Sequence, residues 1–113
     1  MLAVAATALV LAGPPPATIG GKRLAVSSWC WGARCGAPIA ASARTVRFRR
    51  GATVRVELAF EPAAAHLSIA GRPLRVTTRD HEVSWVASRS GGFTLNVTSA
   101  RGWVTYVGRI RLR

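Results

Sequence analysis

The sequence predicts an all-β protein, a single antiparallel β-sandwich. Short segments that alternate apolar and polar residues recur about every ten residues, and glycine- or proline-containing turns separate them. No helical period is sustained beyond the N-terminal apolar run. Half of the 113 residues are apolar, which suffices for one globular core. We therefore expect about seven to eight short strands and one tight disulfide loop.

The N-terminus carries an apolar run at residues 2–12, followed by Gly13 and three prolines. A run of about eleven residues is too short to span a bilayer as a helix, but it matches the apolar centre of a secretory signal peptide. The alternative is a buried N-terminal helix. We expect residues 1–19 to form a signal peptide and a proline-rich segment, and residues 20–113 to form the sandwich domain.

Cys30 and Cys35 are the only cysteines, and Trp29 and Trp31 flank the first of them. Two cysteines in an exported protein normally pair, so we expect a disulfide between them. A loop this short adds only about 2 kcal/mol of stability by chain entropy. The spacing is not C-x-x-C, and zinc requires more Cys or His ligands than this segment has. The sequence therefore indicates neither a metal nor a cofactor.

The strands of the domain are expected in order from alternation and turn residues. A first strand at residues 24–31 ends in the cysteine loop. Residues 45–49 and 53–60 alternate on either side of a turn at Arg50-Gly51, which predicts an antiparallel hairpin with Val54, Val56 and Leu58 facing inward. Further strands are expected at residues 66–70, 74–78, 83–87, 93–97 and 103–112.

Three parts of the chain carry a resemblance to known proteins. They are Ser28-Trp29-Cys30-Trp31 with Cys35, the strand-turn-strand segment at residues 46–60, and the closing segment from Gly91-Gly92-Phe93 to Tyr106. With these the chain resembles a group of uncharacterised small exported bacterial proteins with immunoglobulin-like or lipoprotein-like β-sandwich domains. The resemblance spans most of residues 24–112. It implies the fold and a secreted or cell-envelope location, and it implies no established activity.

The charge balance indicates an anionic partner. Sixteen basic residues face four acidic ones, and the net charge of +12 attracts anions. Arginine also holds carboxylate and phosphate groups with two parallel hydrogen bonds. If the hairpin and the last strand are neighbours, their outward arginines form a basic stripe. These candidate anion-binding residues are Arg47, Arg49, Arg55, Arg109, Arg111 and Arg113.

The expected partner is an anionic cell-wall polymer or an acidic glycan, with peripheral contact to an anionic membrane surface also open. No nucleic-acid-binding motif is present, so specific nucleic-acid recognition is not expected. Two alternatives need no ligand. A coding bias toward arginine would produce a basic surface, and charged edges resist strand-to-strand aggregation. Neither the oligomeric state nor the identity of the ligand follows from the sequence.

The sequence favours a binding protein over an enzyme. Asp80-His81-Glu82 is the only cluster of titratable groups, and strand neighbours alternate faces, so a solvated turn is favoured over a cation site. The main hypothesis is a non-catalytic cell-envelope domain that binds through its arginines. The alternative is a carbohydrate- or protein-recognition module that uses exposed Trp29 and Trp31. Core packing is favoured for at least two of the four tryptophans.

Overall fold

The computed structural model describes residues 13–41 and 44–113, so the predicted signal-peptide run lies outside the described residues. Every regular element in the described part is a β-strand. No helix in those residues has the length and apolar character that a membrane span needs. In chain order the strands are β1 (Ala17–Ile19), β2 (Lys22–Arg23), β3 (Ala25–Trp31), β4 (Arg34–Gly36), β5 (Thr45–Phe48), β6 (Thr53–Leu58), β7 (Ala64–Ile69), β8 (Arg72–Leu74), β9 (Thr77–Arg79), β10 (Glu82–Val86), β11 (Gly91–Ser99) and β12 (Gly102–Leu112).

The strands form two sheets. The first sheet has five strands in the order β2-β1-β6-β10-β9, and all of its neighbours are antiparallel. The second sheet has seven strands and runs β4-β3-β12-β11-β7-β8. Its remaining strand, β5, pairs with the second half of β12, whereas β3 pairs with the first half.

The apolar core lies between the two sheets, as alternation along the strands requires. Val54, Val56 and Leu58 of β6 point inward, and the residues between them are exposed. The rings of Trp85 and Phe93 connect the sheets, with centroids 5.9 Å apart. Burying each large apolar side chain contributes about 1.5–3 kcal/mol. The two sheets, with this core between them, confirm the all-β class and the two-sheet arrangement.

The predicted hairpin between residues 45–49 and 53–60 does not form. Strand β5 pairs in parallel with β12 in the second sheet, while β6 lies between β1 and β10 in the first. Gly51, with φ of 88°, turns the chain from one sheet to the other, and its backbone N–H donates to the Ala87 carbonyl at 2.8 Å. The turn at Arg50-Gly51 was therefore predicted correctly. The pairing of the two strands that flank it was wrong.

The structure also has more strands than expected. The strand predicted at residues 74–78 is divided between β8 in the second sheet and β9 in the first. The short strands β1, β2 and β4 were not predicted. Gly20, the expected start of the domain, follows β1, whose Ala17 and Ile19 are each 1% exposed in the core. The hydroxyl of Tyr106 donates to the Pro15 carbonyl at 2.7 Å, so residues upstream of residue 20 also contact the core strands.

Candidate functional site

The parallel pairing of β5 with β12 places two exposed arginines side by side. Arg47 and Arg111 are direct cross-strand partners, and Arg109 is the partner of Thr45. Neighbouring strands lie about 4.8 Å apart, and the side chains of these arginines alternate with the core-facing Ile110 and Leu112. Arg47, Arg109 and Arg111 are called the arginine surface below.

Two further predicted arginines lie at the end of this surface. Arg49 follows β5 directly, and the backbone N–H of Arg113 donates to the Phe48 carbonyl at 3.0 Å. Both residues are exposed. Five of the six predicted arginines are therefore brought together by the β5–β12 pairing.

Arg55 is separate from the other five. It lies on β6 in the first sheet, and its Nε atom is 3.8 Å from a carboxylate oxygen of Glu82 on β10. An ion pair this exposed contributes about 0–1 kcal/mol. Arg55 therefore already has an anionic partner and does not extend the arginine surface.

Acidic residues are absent from the strands of the second sheet. The chain has only four, and none lies on β3, β4, β5, β7, β8, β11 or β12. They are Glu57 on β6, Glu82 on β10, and Glu61 and Asp80 in connecting segments. The strands that carry the arginine surface therefore offer no acidic side chain to neutralise its positive charge.

One basic residue beside this surface was missed by the sequence reasoning. Lys22 and Arg47 both line an open depression of about 520 Å³ between the turn that follows β1 and strand β5. Lys22 lies in β2, which was not predicted, so no sequence pattern connected it to Arg47. The depression gives the arginine surface a second cationic wall.

The disulfide between Cys30 and Cys35 is present, as predicted. The two cysteines are cross-strand partners on β3 and β4, which form a hairpin around a turn at Gly32-Ala33. The next pair toward the turn is Trp31 and Arg34. The disulfide thus closes the stem of a hairpin whose tip presents one aromatic ring and one guanidinium group.

The four tryptophans have different environments. Trp29 and Trp85 are buried, at 7% and 4% exposure, which confirms core packing for two of the four. The Trp29 indole N–H donates to the Ala37 carbonyl at 3.1 Å, so Trp29 is not available to a ligand. Trp31 and Trp103 are half-buried. Of the two tryptophans in the alternative hypothesis, Trp31 lines a cavity, and Trp29 is not among the residues that line it.

This cavity, called the aromatic cavity, has a volume of about 450 Å³. The ring of Trp31 packs against Phe60 in its wall, with centroids 4.8 Å apart. Arg34 and Arg101 also line it, and residues 13–16 form part of the rim. Arg34 begins β4, Phe60 follows β6 and Arg101 precedes β12, so no local pattern in the sequence assigned them to one site.

Asp80 and His81 form the turn between β9 and β10, and Asp80 adopts a left-handed φ of 52°. Glu82 begins β10 opposite Glu57 and Arg79. Within residues 13–41 and 44–113, no three His, Cys, Asp or Glu side chains lie close enough together to hold a metal ion. The cluster found in the sequence is a polar turn beside the Arg55 ion pair.

Comparisons with family models, with curated protein sequences and with solved structures found no match to this chain. The resemblance to exported bacterial sandwich proteins therefore stays a prediction. Function is therefore inferred from the two sites themselves, the arginine surface on the second sheet and the aromatic cavity beside the disulfide hairpin.

Proposed function

We propose that this protein is a non-catalytic β-sandwich domain of the bacterial cell envelope that binds anionic surface polymers through the arginine surface. One observation carries the proposal. Arg47 and Arg111 lie side by side and exposed in a sheet whose strands contain no acidic residue. A bound phosphate or carboxylate would supply the missing negative charge.

The neighbouring arginines of the surface repel one another, and a bound anion would relieve this repulsion. Like charges directly opposite each other on neighbouring strands destabilise a sheet. Arg109 and Arg111 are two residues apart on one strand face, which corresponds to about 7 Å. A polymer with regularly spaced acidic groups could neutralise several of these guanidinium groups at once, each through two parallel hydrogen bonds.

An arginine-rich composition alone explains the number of arginines but not their placement. The chain contains acidic residues that could have paired with the arginine surface, and two of them lie on the first sheet instead. Arg55, beside Glu82, shows an arginine of this chain with such a partner. This separation of the acidic residues from β5 and β12 supports a binding role.

The proposal is tested with a triple variant, Arg47→Gln, Arg109→Gln and Arg111→Gln. We would measure its affinity for immobilised teichoic-type poly(glycerol phosphate), with neutral dextran as the reference polymer. We expect the unmodified protein to bind the phosphate polymer and to be released between about 0.05 M and about 0.5 M NaCl as the charges are screened. The triple variant should lose most of this binding and should show a weaker salt dependence.

A matched control separates the location of the charge from its amount. The variant Arg23→Gln, Arg75→Gln, Arg79→Gln removes the same three charges from exposed positions outside β5 and β12. It should keep most of the binding. Equal losses in both triple variants would mean that net charge alone attracts the polymer, and that outcome would refute a dedicated surface.

The cellular location is part of the proposal and has its own test. The disulfide and the apolar run before Gly13 support export, because disulfides persist in oxidising compartments. The full chain would be expressed in a secreting bacterium, and the product in the medium analysed by intact mass and N-terminal sequencing. Recovery only from the cytoplasm, with both thiols reactive toward alkylation, would contradict export.

A further inference from the structure

We propose that the aromatic cavity binds an acidic sugar unit, a pyranose ring that carries a carboxylate group. This site is distinct from the arginine surface and does not depend on its function. The proposal combines two features of the cavity wall, a pair of aromatic rings and a pair of arginines.

The aromatic rings match the flat face of a sugar. Trp31 and Phe60 pack at a tilt of 59°, and both remain half-buried rather than fully enclosed. The C–H groups on one face of a pyranose form a small apolar surface, and covering it against a ring removes both surfaces from water. The three prolines at residues 14–16 give the rim a rigid apolar edge.

The arginines determine the charge of the ligand. Arg34 and Arg101 line the same cavity, and no acidic residue lies among the lining residues. Two guanidinium groups at one opening favour an anion, and a carboxylate fits the two parallel donors of a guanidinium. A neutral sugar would use the rings but leave this charge without a partner.

The backbone holds both arginines at the cavity. Arg34 is the cross-strand partner of Trp31, one pair beyond the disulfide in the hairpin. At the hairpin turn, the backbone N–H of Gly32 donates to the Arg101 carbonyl at 2.8 Å, which ties this turn to the start of β12. The backbone that carries both arginines is therefore fixed before a ligand binds, which reduces the entropy lost on binding.

The dimensions agree with a small ligand. A volume of about 450 Å³ lies within the usual range of small-molecule sites. The cavity and the arginine surface lie at opposite ends of β12. Ten residues of extended strand separate Arg101 from Arg111, about 33 Å, so a monosaccharide cannot reach both.

The test uses D-glucuronate and D-glucose as probes, because they differ only at carbon 6, which is a carboxylate in glucuronate and a hydroxymethyl group in glucose. The full chain would be titrated with each sugar while intrinsic tryptophan fluorescence is recorded, since Trp31 lies in the cavity wall. We expect a saturable change in fluorescence with glucuronate. The affinity for glucose should be at least about tenfold lower. The variant Arg34→Gln, Arg101→Gln should reduce glucuronate binding to the level of glucose.

Two further variants make the result specific. Phe60→Leu should weaken binding of both sugars, because it removes one of the two rings. The arginine-surface triple variant should bind glucuronate within about twofold of the unmodified protein, since those arginines are remote from the cavity. The exposed Arg34 and Arg101 can be changed without disturbing the core, so this test does not depend on Phe60→Leu folding.

Three results would overturn the proposal. One is the absence of a saturable response to glucuronate. Another is equal affinity for glucose and glucuronate, which would remove the role of the arginines. The last is glucuronate binding that is lost in the arginine-surface variant but kept in Arg34→Gln, Arg101→Gln, which would place the binding at the other end of β12.

Discussion

The indole of Trp29 occupies the space that a Cβ atom on Gly36 would need. The two residues are cross-strand partners on β3 and β4. We expect Gly36→Ala to reduce the free energy of unfolding by about 1–3 kcal/mol, because the buried ring has to shift. Urea denaturation measures the loss. Gly92→Ala is the control, since a Cβ there would approach only the Gly108 carbonyl, at 3.9 Å. Equal stability of the two variants would contradict the close approach.

The single tyrosine should make stability depend on alkaline pH. Burial raises the pKa of Tyr106 above its ordinary value of 10.0. The folded protein then retains the phenolic proton at pH values where the unfolded chain releases it. The contribution of Tyr106 to the free energy of unfolding is fully present below about pH 10. Above that pH it falls by about 1.4 kcal/mol per pH unit, until the pKa of the folded protein is reached.

Urea unfolding at about pH 9 and about pH 11 would measure this decline. Tyr106→Phe should show a smaller decline, although it starts about 1 kcal/mol less stable because it loses the hydrogen bond to Pro15. Phenolate absorbance of the folded protein reports the same proton directly. Identical declines in both proteins would rule out Tyr106 as the cause.

The disulfide should contribute modestly to stability. Replacing Cys30 and Cys35 with serine should cost about 2 kcal/mol and leave the domain folded, because the core lies on the opposite face of β3. Thermal melts with and without dithiothreitol measure the effect. The reductant should lower the melting temperature of the unmodified protein to that of the variant and leave the variant unchanged. A variant that fails to fold would show that the hairpin is essential to the core.

The first strand should be essential to the domain. A chain that starts at Pro14 keeps β1, whereas one that starts at Gly20 loses it. Loss of the buried Ile19 side chain alone removes about 1.5–3 kcal/mol, and the loss of β1 also exposes an edge of β6 that invites aggregation. Melting temperature and size-exclusion profiles compare the two chains. Equal behaviour of the two chains would contradict this prediction and would agree with a domain that starts at residue 20.

The fold class followed from the sequence because alternation is local. In β6 the alternation of apolar and polar residues predicts which side chains face the core, and the same side chains are buried in the structure. Strand partners are not local. Arg50-Gly51 reads as a hairpin turn, yet β5 pairs with β12, more than sixty residues along the chain, in parallel. Strand β1 was missed because its three residues follow a proline triplet, and their burial depends on β6 rather than on their own pattern.

The candidate sites were predicted unequally for the same reason. Arg109 and Arg111 lie on one strand, so their common face was visible in the sequence. Their proximity to Arg47 required the fold. The aromatic cavity was not predicted, since Trp31, Phe60 and Arg101 lie far apart in the sequence and meet only in the folded chain. Trp29 was misplaced as a surface candidate because a tryptophan beside a cysteine does not show which face of its strand is buried.

Strand β12 is eleven residues long, begins beside the aromatic cavity and carries the arginine surface near its other end. A ligand with many repeating units could therefore be held at both ends by one molecule of this protein. The second contact would then form at a high effective concentration, and affinity would rise steeply once the ligand exceeds the length of the strand. Oligosaccharides of increasing length would reveal that threshold, whereas monosaccharides would never show it.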